Sequence, residues 1–95
     1  MREILSDTQL QEALASLPAW RLEHGELTRT AVLQDFKQAM EFVNRVAELA
    51  EAACHHPDID IRYNNVRLGL ITHDAGGITE KDINLAQEIE RNLQT

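Results

Sequence analysis

The chain has 95 residues, 43% of them hydrophobic, which suits one domain over 1–95 with a small core that oligomerisation would help stabilise. Lysine and arginine number 9 against 16 acidic residues, for a net charge of −7, and the basic residues form no run, which counts against direct nucleic-acid binding. Cys54 is the only cysteine, no apolar run nears the roughly 18 residues of a membrane span, and the start lacks a signal-like apolar core, so a cytoplasmic protein without a disulfide or a membrane partner is expected.

Ser6, followed three residues later by Gln9, fits a capping box. Leu10, Ala13, Leu14 and Leu17 then repeat at helical spacing until Pro18 ends the pattern. The stretch AWRLEHGELTRTAVL reads as a hairpin turning at His24-Gly25, with Trp20 and Leu22 alternating with charged neighbours on its first strand. Asp35 begins the longest periodic segment, in which Phe36, Ala39, Met40, Val43, Val46, Ala47 and Ala50 share one side of a helix. Phe42, Leu49 and Ala53 widen that stripe to about half the circumference at ~100° per residue. A helix so broadly apolar is expected to pack on a sheet with one part and to meet another subunit with the rest.

After Pro57 the period changes to two, with Ile59, Ile61 and Tyr63 alternating with Asp60 and Arg62. Asn64-Asn65 is the expected tight turn, because asparagine tolerates positive φ. That turn would set Tyr63 near Val66 and Ile59 near Leu70. Val66, Leu68, Leu70 and Thr72 continue on one face of the returning strand, and Asp74 to Gly77 reads as a loop. Thr79 with Asp82 forms a second capping box, opening a helix with Ile83, Ala86, Ile89 and Leu93. The expected architecture is α+β: two layers, a four-stranded antiparallel sheet with helices on one face, in the order α-β-β-α-β-β-α.

Three histidines stand out within this order. Glu51 and His55 are four apart and would share a helix face, whereas Pro57 pushes His56 out of the helical region. In a hairpin turning at Asn64-Asn65, residues 56–57 return near 72–73, so His55, His56 and His73 are expected close together. Imidazoles exchange protons near neutral pH, which makes such a cluster an acid/base candidate.

The run Glu51-Ala-Ala-Cys-His55-His56-Pro57, then Tyr63, then Thr72-His73, then Asp82, resembles the signature of the pterin-4a-carbinolamine dehydratases. Trp20, Asp35-Phe36 and Asp82-Ile83-Asn84-Leu85-Ala86 extend the resemblance over most of the chain. The resemblance implies a hydro-lyase that dehydrates 4a-hydroxytetrahydropterin to the quinonoid dihydropterin, supporting tetrahydropterin recycling, with no metal and no organic cofactor. It implies His55 and His73 as general acid/base candidates, and His56 as a third catalytic-site histidine that mainly orients the pterin. Pro57, Thr72, Asp74 and Ala75 would complete the substrate pocket, with Glu51 and Asp82 as supporting residues. Ile59 stands where some relatives carry an aromatic residue.

Rival readings of these residues are weaker. Adjacent histidines diverge on a helix or a strand, unlike the spacings that let two metal ligands converge. Cys54 is expected on the apolar face with Phe36, Met40 and Val43 rather than as a nucleophile. His24 reads as a solvated turn residue, and Gly76-Gly77 as a turn rather than an anion cradle. Two functional classes remain: the dehydratase, and a non-catalytic assembly or transcriptional coactivator module on the same fold, as the resemblance allows. The three histidines with Glu51 and Asp82 favour the enzyme. A pterin is the expected small-molecule partner, with a homodimer or homotetramer formed through the 35–53 helix or the sheet edges.

Overall fold

Capping chemistry places the helix starts where the sequence marks them. In α1 (Asp7–Ala15) the Ser6 hydroxyl accepts from the Gln9 N–H at 3.1 Å, and the Gln9 carboxamide accepts from the Ser6 N–H at 2.9 Å. In α2 (Phe36–Ala53) Asp35 accepts from the Gln38 N–H at 2.8 Å. The structure is a computed structural model that describes residues 3–93, so the ends of the expected 1–95 domain lie outside the described residues. The remaining elements are β1 (Arg21–Glu23), β2 (Glu26–Val32), β3 (Asp58–Arg62), β4 (Asn65–Leu70) and α3 (Glu80–Leu93).

The observed order is therefore α-β-β-α-β-β-α, with a four-stranded antiparallel sheet in the spatial order β1-β2-β4-β3. The period of two decides which face is covered. Leu27 and Ala31 of β2, with Val66, Leu68 and Leu70 of β4, are buried together with Ala39, Phe42, Val46 and Ala50 of α2 and Ile83, Ala86 and Ile89 of α3. Each of the valine, leucine, isoleucine and phenylalanine side chains among them contributes about 1.5–3 kcal/mol relative to exposure, and the alanines let the helices approach the sheet closely. The opposite face carries Thr30, Arg67, Asp58 and Asp60, all exposed.

Trp20 is buried just ahead of β1, and its indole N–H donates to Glu90 at 2.8 Å, where the Arg29 guanidinium also arrives at 2.5 Å. That shared carboxylate ties the first hairpin to α3. On the sheet's open face Glu23 accepts from Thr28 at 2.8 Å and pairs with Arg67 at 3.3 Å. The Thr28 hydroxyl first, then Arg67, holds the Glu23 carboxyl below its ordinary range.

The first hairpin turns at His24-Gly25 as its residues predict, with both in the positive-φ region (52° and 80°) and His24 exposed. The second hairpin departs from expectation. Arg62 pairs with Asn65 and Ile59 with Leu68, so Tyr63-Asn64 is the turn, one residue before Asn64-Asn65, and Tyr63 takes φ 52°. The cause lies in another part of the chain. The Leu33 N–H donates to the Asn64 carbonyl at 2.8 Å, and the Asn64 side-chain amide donates to the Leu33 carbonyl at 2.9 Å. Those two bonds clamp Asn64 against the end of β2 and set the register.

Candidate active site

The site begins where α2 stops. Cys54 adopts the left-handed conformation (φ 51°, ψ 42°), its N–H bonds the Glu51 carbonyl at 3.2 Å, and the His55 N–H bonds the Ala50 carbonyl at 3.1 Å. That pattern is a Schellman stop, usually completed by glycine at the left-handed position. It swings Cys54 off the apolar stripe, so the expected packing against Phe36, Met40 and Val43 does not occur and Cys54 is exposed. A cysteine pays a steric cost there, of about 1–2 kcal/mol. Cys54→Gly is therefore expected to raise stability by about 1 kcal/mol, measured by urea denaturation.

The same stop redirects the two histidines. His55 turns inward and is 8% exposed, with Nε2 2.5 Å from Asp82 Oδ1. His56 stays exposed, with Nε2 2.5 Å from Glu51 Oε2. The expected pairing of Glu51 with His55 is thus corrected: Glu51 holds His56, because the helix no longer continues when it reaches His55. Both members of the His56–Glu51 pair are solvated, so it orients more than it stabilises.

Asp82 is fully buried in the first turn of α3. Its Oδ2 accepts from the Thr79 N–H at 2.9 Å and from the Thr72 hydroxyl at 2.8 Å. Thr79, the residue before the helix, accepts from the Lys81 N–H at 3.2 Å, and its hydroxyl lies 2.8 Å from that of Thr72. Among the described residues no buried side-chain nitrogen or oxygen lacks a partner. Only half of the expected second capping box forms: the Asp82 carboxylate accepts from the Thr79 N–H and also serves a histidine, whereas the Thr79 hydroxyl takes the Lys81 N–H in place of that of Asp82.

The opposite wall follows β4. Thr72 bridges Gly77, and its carbonyl accepts from the Ala75 and Gly76 N–H groups at 3.0 and 2.9 Å. Gly76 takes φ 78°, which a side chain would strain, so the loop can close tightly. His73 and Asp74 project from it, both exposed. The result is a cleft of about 250 Å³ lined by Cys54, His55 and His56 on one side, Ile71 to Asp74 on the other, and Lys81.

Five expected residues therefore meet in one cleft: His55, His56, Thr72, His73 and Asp74. Pro57 and Ala75 are half-buried and outside its lining, whereas Glu51 and Asp82 stand behind His56 and His55. Ile59 is partly buried against the core. Sequence reasoning missed Lys81, whose Nζ lies 3.5 Å from the Cys54 carbonyl, and the buried Thr72–Thr79 contact. The signal for the latter was present, since alternation puts Thr72 on the buried face with Val66, Leu68 and Leu70, where a hydroxyl needs a partner. Among the described residues no group of three or more histidine, cysteine, aspartate or glutamate side chains is arranged to hold a metal ion.

The family model for pterin 4 alpha carbinolamine dehydratase matches residues 3–92. The chain belongs to that family. Relatives of this pterin dehydratase family member named "Putative pterin-4-alpha-carbinolamine dehydratase" include one from Acidobacterium capsulatum, 59% identical over 89 residues that span 94% of this chain and 97% of the relative. Another, from Nostoc punctiforme, is 47% identical over 91 residues spanning 96% and 98%. A crystal structure of a transcriptional coactivator/pterin dehydratase from Brucella melitensis superposes with a TM-score of 0.90 at 33% identity, covering 94% of this chain and 97% of that one. The family's α+β architecture is thus shared by the solved neighbour. No helix among the described residues is long and apolar enough to cross a membrane.

Proposed function

We propose that this chain dehydrates 4a-hydroxytetrahydropterin to quinonoid dihydropterin and water by histidine acid/base catalysis, so that tetrahydropterin can be recycled. The observation that carries this reading is the convergence of His55, His56 and His73 on one cleft, with His55 backed by a buried carboxylate. In the reaction the C4a–O bond breaks as an imidazolium protonates the departing hydroxyl, giving water. A neutral imidazole takes the N5 proton, and C4a and N5 become doubly bonded. No electron leaves or enters, so two imidazoles in opposite protonation states are sufficient. His55 and His73 take those roles, and His56, steadied by Glu51, orients the ring.

The test is the rate of loss of synthetic 4a-hydroxytetrahydropterin with purified protein, with and without a chelator. Acceleration that survives the chelator is expected. A rate equal to that of buffer would overturn the reading and leave the non-catalytic assembly or coactivator class; the name of the Brucella structure pairs transcriptional coactivator with pterin dehydratase.

Self-association belongs to the same proposal. Phe36 is 50% exposed, and with Met40, Val43 and Ala47 it forms an apolar stripe on α2 at helical spacing that the chain itself leaves partly uncovered. A homodimer or homotetramer through α2 would cover it. Light scattering at micromolar concentration should give a multiple of the 10.8 kDa chain mass, and Phe36→Glu should reduce it to the monomer.

A further inference from the structure

We infer that the first turn of α3 dictates the tautomer of His55, holding it protonated on Nε2 and bare on Nδ1, with Asp82 as the positioning residue that transmits the choice. Two backbone donors set the polarity, and a backbone N–H cannot turn round to accept. The Thr79 N–H points at Asp82 Oδ2 at 2.9 Å, and the Lys81 N–H points at the Thr79 hydroxyl oxygen at 3.2 Å. The Thr79 hydroxyl must therefore spend its proton elsewhere, and its other neighbour is Thr72 Oγ1 at 2.8 Å. Thr72, receiving that proton, gives its own to Asp82 Oδ2 at 2.8 Å. In the reverse arrangement Thr72 Oγ1 and Asp82 Oδ2 would face each other with lone pairs, and the Thr79 proton would have no acceptor.

Asp82 Oδ2 thus receives two donors, and Oδ1 faces His55 Nε2 at 2.5 Å as an acceptor. The neutral ring then carries its proton on Nε2. Nδ1 has no protein partner among the described residues, and since no buried side-chain nitrogen there goes unpaired, Nδ1 reaches accessible space. The catalytic meaning rests on the dehydratase reading: the neutral His55 ring offers a ligand a lone pair at Nδ1, and that same atom carries the proton it can donate once it has accepted one.

The tautomer is read by long-range ¹H–¹⁵N correlation of the imidazoles, on the spectrum of the neutral ring reached by raising the pH until the ring nitrogen shifts stop changing. The wild-type His55 ring is expected to show a protonated Nε2 and a bare Nδ1. Asp82→Asn should reverse this. The two donors hold the amide oxygen on their side, the amide NH₂ faces His55, and the ring must accept at Nε2 and carry its proton on Nδ1. The kcat should then fall on the order of a hundredfold, with KM changed less than about threefold. Thr72→Val, which keeps Asp82 and both backbone donors, should retain the wild-type tautomer and decides the matter if Asp82→Asn fails to fold. A wild-type ring protonated on Nδ1, an Asp82→Asn ring still protonated on Nε2, or a reversed ring in Thr72→Val would each overturn the inference. A wild-type protein without dehydratase activity but with the expected tautomer would remove the reaction and leave the inference standing.

Discussion

Asp82→Ala is expected to lower the stability of the fold by about 3–5 kcal/mol, among the largest effects of any single substitution in this chain. The carboxylate is fully buried and accepts from the Thr79 N–H, the Thr72 hydroxyl and the His55 ring. Alanine leaves these donors without an acceptor in a place water does not reach, at about 1–3 kcal/mol for each that cannot find another. The Thr79 N–H among them also makes the bond by which Asp82 caps α3, so the same loss loosens the start of that helix. Urea denaturation is the measurement, with the midpoint expected to move at constant m-value. A loss below about 1 kcal/mol would show that the hydrogen bonds around Asp82 are not formed in solution.

The second large effect falls on activity. His55→Ala and His73→Ala are each expected to lower kcat by about 10²–10³-fold, the usual contribution of a positioned acid or base. The two should differ in their effect on the fold. His55 is buried and held by Asp82, so its loss also strands a carboxylate oxygen. His73 is exposed and makes no side-chain hydrogen bond to the protein among the described residues, so His73→Ala should leave stability within about 0.5 kcal/mol. An activity loss without a stability loss in His73→Ala would separate chemistry from folding. Wild-type rates in both variants would sink the assignment of roles.

Much of this architecture could be read from local chemistry. The Ser6–Gln9 box, the Asp82 half of the Thr79–Asp82 box, the His24-Gly25 turn and the alternation along β4 each depend on neighbours within a few residues, where side-chain preference is decisive. The errors arose where a distant partner overrode a local preference. Asn64-Asn65 is a sound turn in isolation, but Asn64 is committed to Leu33, and the strained φ falls on Tyr63 instead. Helical periodicity pairs Glu51 with His55 only if α2 persists through Cys54. The left-handed cap breaks that phase, which exposes Cys54 and hands Glu51 to His56. The three-histidine cluster survived these slips because proximity at one end of a hairpin tolerates a shift that a specific pairing does not.

The strand order β1-β2-β4-β3 carries a consequence for how the chain reaches this state. Each hairpin is two-stranded, and such a unit is marginal alone in water. The two meet only through their inner strands, β2 and β4, and that pairing closes a loop containing the whole of α2, β3 and the histidine pair. Closing a long loop costs entropy before the new contacts repay it, so joining the hairpins should be the slow step of folding. His55 and His56 lie inside the closing loop, whereas His73 and Asp82 lie beyond it. A chain caught before closure holds all the site's residues but has no cleft, and activity on refolding should return together with the sheet and not ahead of it.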